Sequence, residues 1–285
     1  VRRPAWLLAL ALVACGPPAQ EARPALWQID GPGGQRGWLF GTIHATPRPY
    51  DWRTRAVSEA LARSDRIVVE IAALGDDAAT ARVFARLAHT PGQPPLAARI
   101  DPRLRPALAS LLAKAGLNAA AFADVETWAA ALMLAQAATP DDHPEWGVDR
   151  ALLADHAGKP VRELEGAERQ LALFDRLPEP AQRTLLAQAV AGASTAGADA
   201  AKLAEAWRKG DIDTIAAETR QGILADETLR AALFTGRNAR WAAAIADGLQ
   251  HGARPFVAVG AAHMAGPDGL PVMLSARGYR VSRIQ

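Results

Sequence analysis

The chain has 285 residues, half of them hydrophobic, with 32 basic and 30 acidic side chains and a single cysteine. That length suffices for one large domain or two small ones, with ample apolar material for a core. A net formal charge of +2 leaves no footprint for nucleic-acid binding, and one cysteine excludes an internal disulfide or a multi-thiolate metal site.

The amino-terminal segment reads as an address. Arg2 and Arg3 precede an apolar stretch, Ala5 to Ala14, that is too short to span a bilayer as a stable helix. Leu12-Val13-Ala14-Cys15 then resembles a bacterial lipobox, in which small residues precede a cysteine that is diacylated and becomes the new N-terminus. The expected organisation is a signal peptide over residues 1–14, a lipidated tether over 15–26 and a folded domain over 27–285. Lipid on Cys15 would hold that domain at the cell envelope, on the periplasmic side of the outer membrane in a Gram-negative host. Loss of Arg2 and Arg3 with the signal leaves basic and acidic residues in balance, so neither nucleic acid nor an anionic membrane is expected as a partner through charge.

Trp27 to Asp30 and Trp38 to Phe40 flank Gly31-Pro32-Gly33-Gly34, which predicts a hairpin; a phosphate loop would need a helix to follow. The second strand runs into Gly41-Thr42-Ile43-His44. A helix is predicted over 53–63, then a strand from Arg66 to Glu70. Helices follow over 79–88, 102–115 and 125–138, with Gly116 as C-terminal cap of the second and Asp124 as N-cap of the third. Gly147-Val148-Asp149 opens a helix ending near Gly158, and Pro160 to Leu164 is a strand. Helical patterns resume over 166–177, 180–191, 198–209 and 229–249. Pro255 to Val259 is again of strand type and runs into Gly260-Ala261-Ala262-His263. A helix-like segment and a last strand, Tyr279 to Ile284, follow. This order predicts an α/β fold. Its mixed central sheet is built from two related βαβ-like halves, N- and C-terminal, with a helical insertion over about 76–250 between them.

The repeated Gly-x-x-His carries the chemistry. With 23 glycines and 6 histidines, chance gives roughly 0.5 such pairs, so the informative part is the shared context of a buried-type strand before and a comparable unit after. If the two leading strands share one sheet, both histidines emerge on the rim where α/β proteins build sites. His44, His263 and Glu70 supply two imidazoles and a carboxylate, an adequate donor set for a divalent metal with positions left open. A strand-end salt bridge explains Glu70 equally simply. Asp149 and Glu165 stand at element starts, where a cap or helix-dipole role is sufficient. Arg237 could bind a carboxylate or an oxyanion, or belong to a solvated helix face. His89, His143, His156 and His251 lack comparable surroundings, and surface placement is expected. The eight tryptophans are expected in the core. No His-Glu-x-x-His, Gly-x-Ser-x-Gly or Walker loop is present.

Taken in order, Trp38 to His44, Ile67 to Glu70, Gly147-Val148-Asp149, Leu164-Glu165, Arg237-Asn238, Val259 to His263 and Gly278 to Val281 resemble the TraB/GumN family, from about Trp27 to the C-terminus. That family is similar to the Tiki proteins, membrane-tethered metal-dependent proteases, and is grouped with erythromycin esterase-like and heme-binding lipoprotein folds. The resemblance implies metal ligation by His44, Glu70 and His263, with manganese, cobalt or zinc as the ion, and a site role for Arg237. The expected function is a lipid-anchored metal-dependent hydrolase, a peptidase using a metal-activated water on a peptide or small-molecule substrate. Arg237 would stabilise the oxyanion, and Asp149 or Glu165 would carry the proton. The rival is a non-catalytic lipoprotein that binds a peptide, metal or heme on the same rim.

Overall fold

Alternation along the strands explains why helices cover both faces of the sheet. The computed structural model describes residues 18–74 and 77–285; the signal segment and Cys15 lie outside them. Its strands are β1 (Gln20–Glu21), β2 (Leu26–Asp30), β3 (Arg36–Thr42), β4 (Tyr50–Asp51), β5 (Arg66–Val69), β6 (Val161–Glu163), β7 (Pro255–Gly260) and β8 (Arg280–Arg283). Trp38 and Phe40 of β3 pack on one side with Phe256 and Ala258 of β7, while Leu39, Val257 and Val259 pack on the other. Every residue of β7 is buried, as expected of a central strand covered twice.

The six-stranded sheet has the order β6-β5-β7-β3-β2-β8. β6, β5, β7 and β3 are mutually parallel, and β2 runs antiparallel to both β3 and β8. The β2–β3 hairpin turns through Gly34 at φ 81°, a left-handed position that glycine adopts without strain. Two βαβ-like units lie at the ends of the chain. One is β3, α1 (Arg55–Arg63), β5; the other is β7, a short helical return, β8. The last strand from the first half and the first from the second lie side by side, which makes the sheet one interdependent body.

Helices α2 (Asp77–Leu87), α3 (Arg105–Ala115), α4 (Thr127–Ala137), α5 (Val148–Ala154), α6 (Ala167–Asp175), α7 (Glu179–Gly192), α8 (Ala196–Lys209), α9 (Ile212–Glu218), α10 (Glu227–Arg230) and α11 (Gly236–Gln250) fill the insertion, and α12 (Leu270–Ser275) completes the second half. One face of the sheet packs on Val57 and Leu61 of α1, Val148 and Leu152 of α5 and Trp207 of α8. The other packs on Trp241, Ile245 and Leu249 of α11 with Leu270 and Leu274 of α12. A separate core, with Trp128, Leu134, Leu185 and Leu186, joins α3, α4 and α7.

Several expectations shift. The tether expected over 15–26 is folded from Gln20 onward: Gln20 N–H bonds the Pro49 carbonyl at 3.1 Å, Ala22 N–H bonds Asp51, and Ala22 and Ala25 are buried. Ala22 packs in one core with Ala206 and Trp207 of α8, and Arg23 N–H bonds the Arg208 carbonyl at 2.7 Å. Helix α4 starts later than expected, with Glu126 rather than Asp124 at its N-cap. Helix α5 stops at Ala154, short of Gly158. The single helix expected over 229–249 is broken by a π-type turn, Ala231–Thr235. Gly116 does cap α3 in the left-handed conformation, at φ 64°. Among the described residues, no helix is long and apolar enough to cross a membrane.

Candidate functional site

Four parallel strands deliver side chains to one edge. His44 follows β3, Glu70 follows β5, Glu165 follows β6, and His263 sits in the short helical turn Ala261–Met264 after β7. Because β7 lies between β3 and β5, its carboxyl end brings the two Gly-x-x-His turns and Glu70 together. A Cβ on Gly260 would lie 3.3 Å from His44 Nε2, 3.4 Å from Glu70 Oε1 and 3.8 Å from His263 Cδ2. Gly260 is thus the floor on which all three converge, and a side chain there would fill their shared space.

Each histidine is oriented by a partner behind it. His44 Nδ1 is 2.8 Å from Asp149 Oδ2, and Thr42 Oγ1 donates to Asp149 Oδ1 at 2.7 Å. A carboxylate only accepts, so Nδ1 of His44 carries its proton and Nε2 faces outward. His263 Nδ1 is 2.6 Å from Asn238 Oδ1. The Asn238 amide is not free to flip, since its Nδ2 donates to the Asp268 carbonyl at 2.7 Å. Nδ1 of His263 therefore donates too, and its Nε2 keeps a lone pair. The His263 ring is held between Phe234, at 5.3 Å between centroids, and Trp241, at 4.5 Å.

Arg237 and Asn238 reach the site from the first turn of α11, just after the π-type turn. A Cβ on Gly236 would collide with the Ala231 carbonyl, so glycine permits this wider turn. Arg237 is buried, stacks on Trp241 at 4.6 Å, and binds two carboxylates through Nη2: Glu70 Oε2 at 2.8 Å and Glu165 Oε2 at 2.8 Å. Its Nη1 lies 3.4 Å from His263 Nε2. The second oxygen of Glu70 accepts from Gly260 N–H at 2.8 Å and stands 4.0 Å from His44 Nε2.

The two imidazoles have opposite electrostatics. The Asp149 charge beside His44, aided by their hydrogen bond and by Glu70, overcomes desolvation and raises its pKa to about 9. His44 lies deep among protein atoms, yet 62% of its side-chain surface remains open through the mouth of the site. Burial dominates at His263 and lowers its pKa to about 4, against the pull of Glu70. Burial would raise Glu70, but His263, His44, Arg237 and the Gly260 N–H together hold it below the usual carboxylate range. A cavity of about 180 Å³ opens over these groups, walled by Ile71, Leu74 and Gln170 beside His44, Glu70 and Asp149.

The structure thus places His44, Glu70, Asp149, Glu165, Arg237 and His263 in one network. Asp149 lies behind His44, and Glu165 lies behind Arg237. Thr42, Asn238 and Gly260 complete the network and Gln170 lines the cavity beside it; the sequence offered Asn238 and Gly260 only as parts of motifs and gave Thr42 and Gln170 no role. Thr42 carried one usable signal, since strand alternation puts it on the same side as His44. His89, His143, His156 and His251 lie apart from the site, exposed or half-buried. Among the described residues, no group of three or more His, Cys, Asp and Glu side chains is placed to hold a metal ion. Two donors on one ion at tetrahedral angle stand about 3.3 Å apart, less than the 4.0 Å between His44 and Glu70. The donor types are those that divalent ions take, and in this arrangement His44 and Glu70 stand wider apart than two donors sharing one ion.

An α/β sheet with paired Gly-x-x-His turns at its carboxyl rim defines the class. Residues 25–283 match the TraB/PrgY/gumN family, and the chain belongs to it. It is similar to the uncharacterized protein YbaP of Shigella flexneri, at 30% identity over 160 residues that cover 55% of this chain and 58% of that relative. No solved structure matches.

Proposed function

We propose that this protein is a metal-dependent hydrolase of peptides, carried at the cell envelope by lipid on Cys15. The observation that carries the reading is the pair of backing partners. Asp149 behind His44 and Asn238 behind His263 hold each ring by Nδ1, which turns the Nε2 of His44 toward the floor at Gly260 and that of His263 toward Arg237. Metal-binding histidines are oriented in this way by an acceptor on the far nitrogen, whereas a histidine that merely ends a strand needs no such partner.

His44, His263 and Glu70 would hold the ion, with manganese, cobalt or zinc as the candidates. A divalent ion at such a site supplies Lewis acidity and acidifies water for attack on an amide carbonyl. Arg237 is engaged by Glu70 and Glu165, so we assign it the positioning of Glu70 rather than a free oxyanion contact. Asp149 and Glu165 likewise have both oxygens engaged and act through His44 and Arg237. Gln170 offers an amide to a substrate backbone beside the apolar wall of Ile71 and Leu74.

The test is a peptide-library cleavage assay on the purified chain with bound metal quantified. Chelation should abolish turnover, and added manganese, cobalt or zinc should restore it. Glu70→Gln should lower hydrolysis by orders of magnitude at saturating metal. Absence of turnover in every metal across a broad library would instead favour the binding-lipoprotein reading.

A further inference from the structure

The core that joins α3, α4 and α7 does not close on itself. Beside it lies an apolar hollow of about 830 Å³, walled by Phe84, Leu117, Leu132 and Met133. A smaller hollow of about 100 Å³ between α3 and α7 continues it, sharing Leu111, Lys114 and Ala193. Ser110 and Ser194 line this second part. Lys114 therefore stands at the junction of an open apolar groove and a smaller hollow lined by two hydroxyls. Its side chain is exposed and, like those of the two serines, has no hydrogen-bond or ion-pair partner among the described residues. Neither hollow shares a lining residue with the cavity over His44 and Glu70.

The larger hollow has the size of a small-molecule site. Its chemistry selects among occupants. A peptide would bring an N–H and a C=O with every residue, and the chamber offers only Gln136 and Lys114 as polar side chains. Those turned to the apolar wall of this open groove would lose water without gaining partners, which is costly. An acyl chain carries no such groups and gains from burial along its whole length. A single anionic head then meets the one unpaired cation at the mouth.

We propose that the two hollows form a binding site for a single-chain anionic amphiphile, a long-chain fatty acid. Its tail lies in the larger chamber, and its carboxylate meets Lys114 with the hydroxyls of Ser110 and Ser194. The site is independent of the hydrolase reading and stands or falls alone.

The experiment is displacement of a fluorescent fatty acid from the full-length protein by hexadecanoic acid, kept below its micelle-forming concentration. Saturable binding at one site is expected. Lys114→Glu should raise Kd by about tenfold or more, and Ala193→Trp, which fills the junction, should abolish binding. Unchanged thermal melting qualifies each variant as folded. Leu117→Trp replaces Ala193→Trp if that variant unfolds, and the exposed Lys114→Glu carries the test in either case. Absence of saturable binding, or wild-type affinity in Lys114→Glu, would overturn the proposal. So would hexadecanol binding as tightly as the acid, or a soluble apolar peptide displacing the probe equally well.

Discussion

At the residue scale, His44 and His263 carry the same imidazole into opposite surroundings. His44 faces the mouth of the site with the Asp149 carboxylate at its back, which favours the imidazolium. His263 is buried between two aromatic rings, and that burial, with the Arg237 guanidinium against its Nε2, favours the neutral form. In metal-free protein at neutral pH, one ring is therefore charged and the other is not. Nuclear magnetic resonance titration of the histidine rings should find His44 near 9 and His263 near 4. Asp149→Asn removes the charge but keeps an acceptor oxygen, so His44 should fall toward its ordinary value of 6.5, while His263, which burial lowers most and the His44 charge least, should move the smaller amount and upward. An unchanged His44 in that variant would mean that Asp149 is not the source of its basicity.

At the element scale, the approach of α5 to the end of β3 sets the His44 pair. Gly147 makes that approach possible. A Cβ there would collide with the His44 carbonyl, just where Val148 N–H bonds the Ile43 carbonyl at 2.9 Å. Gly147→Ala should push the start of α5 away and withdraw Asp149 from His44. The expected cost is roughly 1–3 kcal/mol of stability, with His44 shifted down as in Asp149→Asn. Denaturant unfolding and the same ring titration read both effects; wild-type stability with an unmoved His44 would show that the contact tolerates a methyl group. This element also shows what the sequence could and could not disclose. The strands before His44 and His263, the hairpin and the Gly116 cap are local patterns, and each was readable. The partners of those histidines were not, because Asp149 lies 105 positions from His44 and the glycine that seats it looks like any helix-opening glycine. The split of the 229–249 helix was hidden for a related reason. A π-type turn keeps helical composition, and only the buried targets of Arg237 and Asn238 reveal why the register changes there.

At the scale of the whole molecule, the two histidines tie global stability to pH from opposite sides. His263 has a folded pKa of about 4 against an ordinary 6.5, so between those values the unfolded chain binds a proton that the folded chain refuses. Its contribution is complete above 6.5 and is lost as pH falls through 4, a change on the order of 3 kcal/mol. Glu70, held low, adds to the loss in acid at the bottom of that range. His44 is the mirror case. Its folded pKa of about 9 favours the folded state fully below 6.5, and that contribution is lost as pH rises through 9. Metal-free protein should therefore be most stable near pH 6.5, with a declining limb on each side. Each limb has its own variant. His263→Phe retains a ring between Phe234 and Trp241 but cannot titrate, so it should flatten the acid limb between 6.5 and 4 whatever its effect on absolute stability. Asp149→Asn should flatten the alkaline limb between 6.5 and 9 and leave the acid limb in place. The measurement is the urea midpoint of each protein across pH in the presence of chelator. An acid limb that persists in His263→Phe would assign the loss of stability to other groups, and the buried imidazole would then carry no share of the pH dependence of the fold.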